Sequence, residues 1–210
     1  MTPGEFVQSL REAKASAIVR TSREEDARKA MNVCVEAGFT HCEFTLTVPG
    51  ALTLVREFAS RPGLVVGVGT VLTPEDARNA VQAGARFLVS PVMDVAVIAE
   101  AGRLGVAMMP GCATPTEMLT AHRAGAPLQK LFPAPGTGPA FVAQTLAPMP
   151  FLRIVPTSGV TIENAGAYLR AGAWGVGFVN SLFDPDEIRA GRFDLIGARA
   201  EAALRAVREA

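Results

Sequence analysis

Three lysines occur in this chain, Lys14, Lys29 and Lys130, and one of them is set where amine chemistry changes. Lys14 and Lys29 close the charged, helix-like phrases Arg-Glu-Ala-Lys and Asp-Ala-Arg-Lys, where a lysine is an ordinary solvated cation. Lys130 stands in Leu-Gln-Lys-Leu-Phe-Pro (128–133), an apolar run ended by proline, the pattern of a buried strand. Taking an ammonium out of water is costly unless it is paired or neutral. A buried lysine therefore gives up its proton readily, and the neutral amine attacks carbonyl carbon. The competing reading is a lysine at a strand end that snorkels its charge to the surface. Two further charges complete the candidate set. Glu43 lies inside the strand-like run His-Cys-Glu-Phe-Thr-Leu-Thr (41–47), and Arg20 ends the apolar run Ala-Ser-Ala-Ile-Val-Arg. A buried carboxylate is either the partner of a buried cation or a proton shuttle. An arginine at a strand end can clamp a carboxylate with a two-pronged hydrogen bond, or pair locally with Glu24 or Glu25.

The bulk properties narrow the classes. The 210 residues suit one domain spanning 1–210, with enough apolar material for a sizeable core. Net charge is zero, with no basic run, one Trp and one Tyr, so no nucleic-acid surface is expected. No apolar run is long enough to span a bilayer, and the start lacks the pattern of a signal peptide. Cys34, Cys42 and Cys112 are odd in number and lack CxxC spacing, which fits buried thiols in a reducing, cytoplasmic setting. His41 and His122 are too few and too scattered to suggest a metal site.

The elements that must position these residues announce themselves through glycine. Gly38, Gly63, Gly84, Gly105, Gly125 and Gly172 each end a helical pattern and precede a short apolar run. Glycine just past a helix accepts the left-handed conformation that other residues resist. Helix, glycine, buried strand is a βα unit. Counting units predicts strands near 15–20, 40–46, 64–68, 86–90, 106–109, 128–132, 152–156 and 173–178. Helices are predicted at 3–14, 23–37, 49–60, 74–83, 94–104, 114–124, 138–147, 161–171 and 194–208. Thr73-Pro74-Glu75-Asp76 and Thr114-Pro115-Thr116-Glu117 mark helix starts, and Thr161-Ile162-Glu163 is a weaker version. Eight units point to a closed α/β TIM barrel, (β/α)8, with an extra N-terminal helix. A doubly wound open sheet has fewer strands and a glycine-rich first turn, whereas the first turn here is Arg-Thr-Ser-Arg.

In such a barrel chemistry gathers at the ends of the strands, and strand residues alternate between interior and helix layer. If Cys42, Phe44 and Leu46 pack on helices, then His41, Glu43, Thr45 and Thr47 face the axis. If Leu131 packs on helices, Lys130 and Phe132 face inward, into the same interior as Glu43. Gly67 and Gly69 leave space at the axis, and Thr70 offers a hydroxyl at the mouth. Cys112 reads as a quiet thiol, since no basic partner is evident. Thr157-Ser158-Gly159 and Asn180-Ser181 end strands seven and eight, where barrels often hold a phosphate against backbone N–H groups.

With these residues placed, the chain resembles the class I 2-keto-3-deoxy-6-phosphogluconate (KDPG) aldolase family, including its 6-phosphogalactonate and 4-hydroxy-2-oxoglutarate branches. The resemblance is carried by Val-Gly-Val-Gly-Thr-Val-Leu-Thr-Pro (66–74), Leu-Val-Ser-Pro (88–91), Pro-Gly-Cys-Ala-Thr-Pro-Thr-Glu (110–117), Lys-Leu-Phe-Pro-Ala (130–134) and Pro-Thr-Ser-Gly-Val (156–160). It implies a (β/α)8 barrel, usually a homotrimer, which cleaves a phosphorylated 2-keto acid to pyruvate and glyceraldehyde 3-phosphate without metal or organic cofactor. It places Lys130 on the Schiff-base lysine and Glu43 on the carboxylate that moves protons. Thr70, Pro91, Phe132 and Thr157 fall at the pyruvate end, and Gly159 and Ser181 at the phosphate site. The chain departs from the family where Thr47 replaces an arginine found in some members, whose task Arg20 would take over. It departs again at Ser158 and Asn180, which stand where glycines are usual. Those two positions leave open a shorter or unphosphorylated substrate such as 4-hydroxy-2-oxoglutarate. Two other readings remain: a non-covalent sugar-phosphate isomerase or decarboxylase, and a keto-acid-binding barrel without turnover.

Overall fold

The structure, a computed structural model, describes residues 1–210. Helices and strands alternate along the chain: α1 Pro3–Ala13, β1 Ala15–Val19, α2 Glu24–Glu36, β2 His41–Thr45, α3 Ala51–Ala59, β3 Val65–Gly69, α4 Pro74–Gln82, β4 Phe87–Val89, α5 Val95–Arg103 and β5 Ala107–Met109. The second half continues with β6 Gly111–Cys112, α6 Pro115–Arg123, β7 Gln129–Leu131, α7 Pro139–Leu146, β8 Ile154–Pro156, α8 Ile162–Arg170, β9 Val176–Phe178, α9 Pro185–Arg189 and α10 Phe193–Arg208. All pairings are parallel, as βα units require.

The strands form a curled parallel α/β array in two pieces, a six-stranded sheet ordered β5-β4-β3-β2-β1-β9 and a three-stranded sheet ordered β6-β7-β8. The expected fifth strand, 106–109, is β5, and beyond Pro110 a short further strand, β6, continues its line. Proline has no N–H to donate, so the ladder is interrupted there. Its carbonyl still accepts from the Lys130 N–H at 3.0 Å. On the far side, the Trp174 N–H donates to the Ile154 carbonyl at 2.8 Å, linking the approach to β9 with β8. The short α9 was not expected; its start is set by Asp184, whose side chain accepts from the Asp186 and Glu187 N–H groups.

Local signals explain where the helices begin and end. Thr73, Thr114 and Thr161 form reciprocal capping boxes with Asp76, Glu117 and Asn164, so the third is as complete as the others. At Gly84, with φ 103°, the chain turns back so that the Ala85 N–H reaches the Ala80 carbonyl at 3.0 Å.

Alternation along the strands sorts the core into two clusters. Val66, Val68, Leu88 and Met108 belong to the large cluster between strands and helices, together with Cys42, Phe44 and Leu131. Val65, Phe87, Val89, Ala107, Met109, Leu128 and Val155 have the opposite parity and fill the interior. Helix α1 closes the floor of that interior with Phe6, Val7 and Leu10, and the Phe6 and Phe87 rings stack at 4.5 Å. It is fastened by Trp174, whose indole N–H donates to the Val7 carbonyl at 2.8 Å while Arg11 and Arg153 lie over its ring. No helix is long and apolar enough to cross a membrane. The floor is closed by α1, and a cavity lies at the opposite, C-terminal ends of the strands.

Candidate active site

Strand β7 carries the lysine. Leu128, two residues earlier, packs in the interior, so Lys130 faces the same way, while Leu131 packs on helices. Gln129 is buried with both polar atoms of its amide paired: Nε2 donates to the Ala126 carbonyl at 3.1 Å and Oε1 accepts from the Arg153 N–H at 3.0 Å. Lys130 is 7% exposed, and its Nζ lies 5.0 Å from the centre of the Phe132 ring. No acidic side chain forms an ion pair with it.

Strand β2 carries the carboxylate. Cys42 and Phe44 pack on helices, which turns Glu43 inward. It is 1% exposed, and neither carboxylate oxygen has a hydrogen-bond partner. Burial pushes its proton affinity up, against the opposing pull of Lys130 and Arg20. Burial pushes Lys130 down, helped by Arg20 and opposed by Glu43. Both directions run against charge: burial disfavours the ammonium form of Lys130 and the carboxylate form of Glu43. A neutral pair in a dry interior avoids the cost of two desolvated charges.

A cavity of about 440 Å³ opens above them. Lys130, Phe132, Arg20, Thr157, Ser158, Gly159, Asn180 and Ser181 all line it, so the structure brings most of the expected site into one space. Arg20 is free for this role because Glu24 and Glu25 are taken by Arg28, at 2.7 and 2.6 Å. Glu43, Thr70 and Pro91 lie outside the lining. Thr70 follows β3 in the left-handed region at φ 62°, a conformation threonine seldom adopts. The Pro91 backbone presses against Gly111, where no side chain would fit. Sequence reasoning missed Ile18, Val160, Thr161 and Val179 as wall residues. Ile18 was within reach, since it stands two residues before Arg20 on the same side of β1.

The buried side-chain nitrogen and oxygen atoms without a partner are Glu43 Oε1 and Oε2, Thr157 Oγ1 and Ser181 Oγ. Buried polar groups are nearly always paired, and unpaired ones concentrate where function needs them. Here they run from the Glu43 interior along the wall formed by the ends of β8 and β9. At the far end, Gly159 (φ 75°) turns the chain into α8, and its carbonyl accepts from Asn164 Nδ2 at 2.8 Å. The cysteines stay apart from this chemistry. All three are buried and free, and burial pushes Cys42 and Cys112 up to about 12.

A parallel strand array with an unpaired interior amine and a carboxyl at its open end defines a class: α/β enzymes equipped for amine–carbonyl chemistry. Residues 7–198 match the sequence profile of the KDPG and KHG aldolase family, and the chain belongs to that family. It is 35% identical over 172 residues to a probable 2-dehydro-3-deoxy-6-phosphogalactonate aldolase of Rhizobium meliloti, covering 80% of this chain and 81% of the relative. It is equally, 35%, identical over 161 residues to a 2-dehydro-3-deoxy-phosphogluconate aldolase of Pseudomonas aeruginosa, covering 76% and 73%. Among solved structures it superimposes with a TM-score of 0.84 on the Legionella pneumophila KDPG aldolase, which holds pyruvate captured at low pH as a covalent carbinolamine intermediate. That match has 25% identity and covers 94% of this chain and 97% of the other.

Proposed function

We propose that this chain is a Schiff-base aldolase that cleaves a 2-keto-3-deoxy-6-phospho sugar acid to pyruvate and glyceraldehyde 3-phosphate, with Lys130 as nucleophile and Glu43 as proton carrier. The observation that carries the reading is the pair itself, an unpaired amine and an unpaired carboxyl buried in one interior beneath the largest cavity. The neutral amine adds to the C2 ketone, giving a carbinolamine. Its hydroxyl takes the Glu43 proton and leaves as water, so an iminium faces the Glu43 carboxylate. The carboxylate accepts the C4 hydroxyl proton while the C3–C4 pair moves to C3, releasing the aldehyde and leaving an enamine. The carboxyl then protonates C3, and water adds to the iminium, returns a proton to the Glu43 carboxylate, and releases pyruvate and the free amine. Because the lysine supplies the electron sink, no metal or organic cofactor takes part.

Arg20 binds the substrate carboxylate, and Thr70, Pro91, Phe132 and Thr157 shape the pyruvate end. Ser158, Gly159, Asn180 and Ser181 receive the terminal phosphate, with the N-terminal end of α8 adding a favourable dipole. The domain spans 1–210 as one (β/α)8 barrel. Support comes from the hydrogen bonds that bridge β5 to β7 through Pro110 and β8 to the approach of β9. The three buried free thiols support a cytoplasmic setting, and the exposed apolar side chains of Leu72, Val92 and Val95 support a homotrimer.

One observation favours a second substrate. The far end of the cavity is lined by neutral residues, Ser158 to Thr161 and Val179 to Ser181, so an unphosphorylated acid such as 4-hydroxy-2-oxoglutarate also fits its chemistry. A panel of 2-keto acids with and without terminal phosphate, read as pyruvate release, decides between the two. The covalent step is tested by borohydride with pyruvate. A mass gain at Lys130 is expected, and intact protein without an adduct overturns the aldolase reading in favour of a non-covalent isomerase, decarboxylase or binding barrel.

A further inference from the structure

Gly67 and Gly69 stand on the interior face of β3, and neither has the positive φ that demands glycine. The demand is for space. A Cβ at Gly67 would enter the Phe87 ring. A Cβ at Gly69 would run into Glu43, striking Oε1 and lying 2.9 Å from Cδ and 3.3 Å from Cγ. In the β2–β3 ladder Glu43 is level with Gly67, and Gly69 is level with Thr45. The Glu43 side chain therefore leans toward the mouth and rests over the next interior position of the neighbouring strand, which is bare. No hydrogen bond holds either oxygen. The place of this carboxyl is set by the shape of the recess rather than by a polar partner.

We propose that Gly69 is a positioning residue for the lyase reaction: its missing side chain is the recess that holds the Glu43 carboxyl where it exchanges protons with the substrate carbons beside Lys130. The proposal rests on the aldolase reading above and adds to it a residue that touches neither substrate nor lysine. A methyl group at 69 leaves the backbone unstrained and drives the carboxyl out of its seat. A displacement of this size at a proton-transfer group lowers turnover by one to two orders of magnitude, on the order of tenfold to a hundredfold.

The test is a double-mutant cycle of Gly69→Ala and Glu43→Asp, read as kcat and KM for pyruvate release and as Tm. With Glu43 in place, Gly69→Ala is expected to lower kcat by about tenfold or more with a much smaller change in KM. In the Glu43→Asp background the oxygen that collides with a Cβ at 69 is gone and the retained Cγ stands 3.3 Å away, so the same substitution is expected to cost less than about twofold. Equal losses in both backgrounds overturn the proposal, because they mean that Gly69 serves the packing of β3. If Glu43→Asp is too slow to assay, the cycle is read in Tm, where coupling supports the contact and additivity overturns it. A single variant that fails to fold but folds with Glu43→Asp supports it, and failure in both backgrounds overturns it. Borohydride trapping on the wild type keeps the two ideas apart. Absence of the Lys130 adduct sinks the aldolase reading, whereas a trapped, active wild type with an additive cycle sinks only the role of Gly69.

Discussion

His41 and Glu43 stand two residues apart on the same face of β2, both almost wholly buried, and their surroundings are opposite. His41 sits at the floor, where Nε2 meets Ser9 Oγ at 2.9 Å, Nδ1 meets Thr40 Oγ1 at 3.1 Å, and the Phe6 ring leans against it at 6.0 Å. Glu43, one level nearer the mouth, has no partner on either oxygen. Burial acts on both in the same physical sense, against charge, lowering His41 to about 4 and raising Glu43. The difference lies in what the protein supplies. At the floor the polar atoms are satisfied by the fold itself, which is how a structural group is kept. At the level above they are left for something the fold does not provide. One strand thus carries a partnered polar residue and an unpartnered one on a single face, and helix α1 packs against only the lower.

The largest effect that sharpens this contrast is Glu43→Gln. Loss of a positioned acid–base group is expected to lower kcat by about 10²–10⁴-fold, while pyruvate trapping at Lys130 survives. The same substitution removes an unpaired buried carboxyl, so Tm should hold or rise despite the lost activity. Ionised Glu43 holds the Lys130 proton on, so replacing it by a neutral amide should move the acid limb of trapping to lower pH wherever Glu43 is ionised. Activity and trapping lost in equal measure, with a falling Tm, would instead place Glu43 beside His41 as a structural residue.

Ser181→Ala is the next step down. Its hydroxyl is buried and unpartnered like the Glu43 oxygens, but it lies at the far end of the cavity. If it binds the terminal group of the substrate, KM for a phosphorylated 2-keto acid should rise by roughly five- to tenfold, the worth of one hydrogen bond of ~1–1.5 kcal/mol. Trapping of pyruvate, which lacks that end, should be unchanged. An equal effect on both would show that the far end is not separate from the reactive one.

Much of this contrast was legible in the sequence, because it follows from parity. The helix–glycine–strand period located the strands, and the apolar Cys42, Phe44 and Leu131 fixed which way Glu43 and Lys130 point. Three features escaped. The break at Pro110 depends on a missing donor inside a ladder, which a strand count does not register. The sealing of the floor by α1 depends on packing between Phe6 and Phe87, residues far apart in the chain. The task of Gly69 depends on where a neighbouring strand sends its carboxyl, and a Gly-x-Gly phrase alone does not reveal what occupies the space. His41 was placed on the axis correctly, but its partner Ser9 comes from α1, so its satisfied state was visible only in three dimensions.

The smallest expected effect on activity belongs to His41→Gln, and it completes the contrast by its sign with pH. Turnover should stay within about twofold, because His41 lies below the site and its hydrogen bonds end at Ser9 and Thr40. Stability behaves otherwise. The His41 pKa is about 4 folded and 6.5 in the ordinary state, so between these values the unfolded chain binds more protons. Its contribution is complete above pH 6.5 and is lost as pH falls toward 4, about 3 kcal/mol over the window. Glu43 runs the opposite way: its pKa is raised on folding, so its contribution is present below the ordinary carboxyl value of 4.5 and is lost as pH rises through the folded value. Denaturant melts across pH 4 to 7 should therefore show a flatter acid side for His41→Gln than for the wild type. They should also show a gain for Glu43→Gln that grows with pH. Parallel curves for all three proteins would mean that the two sites are not opposed after all, and that burial on this strand does not distinguish the floor from the mouth.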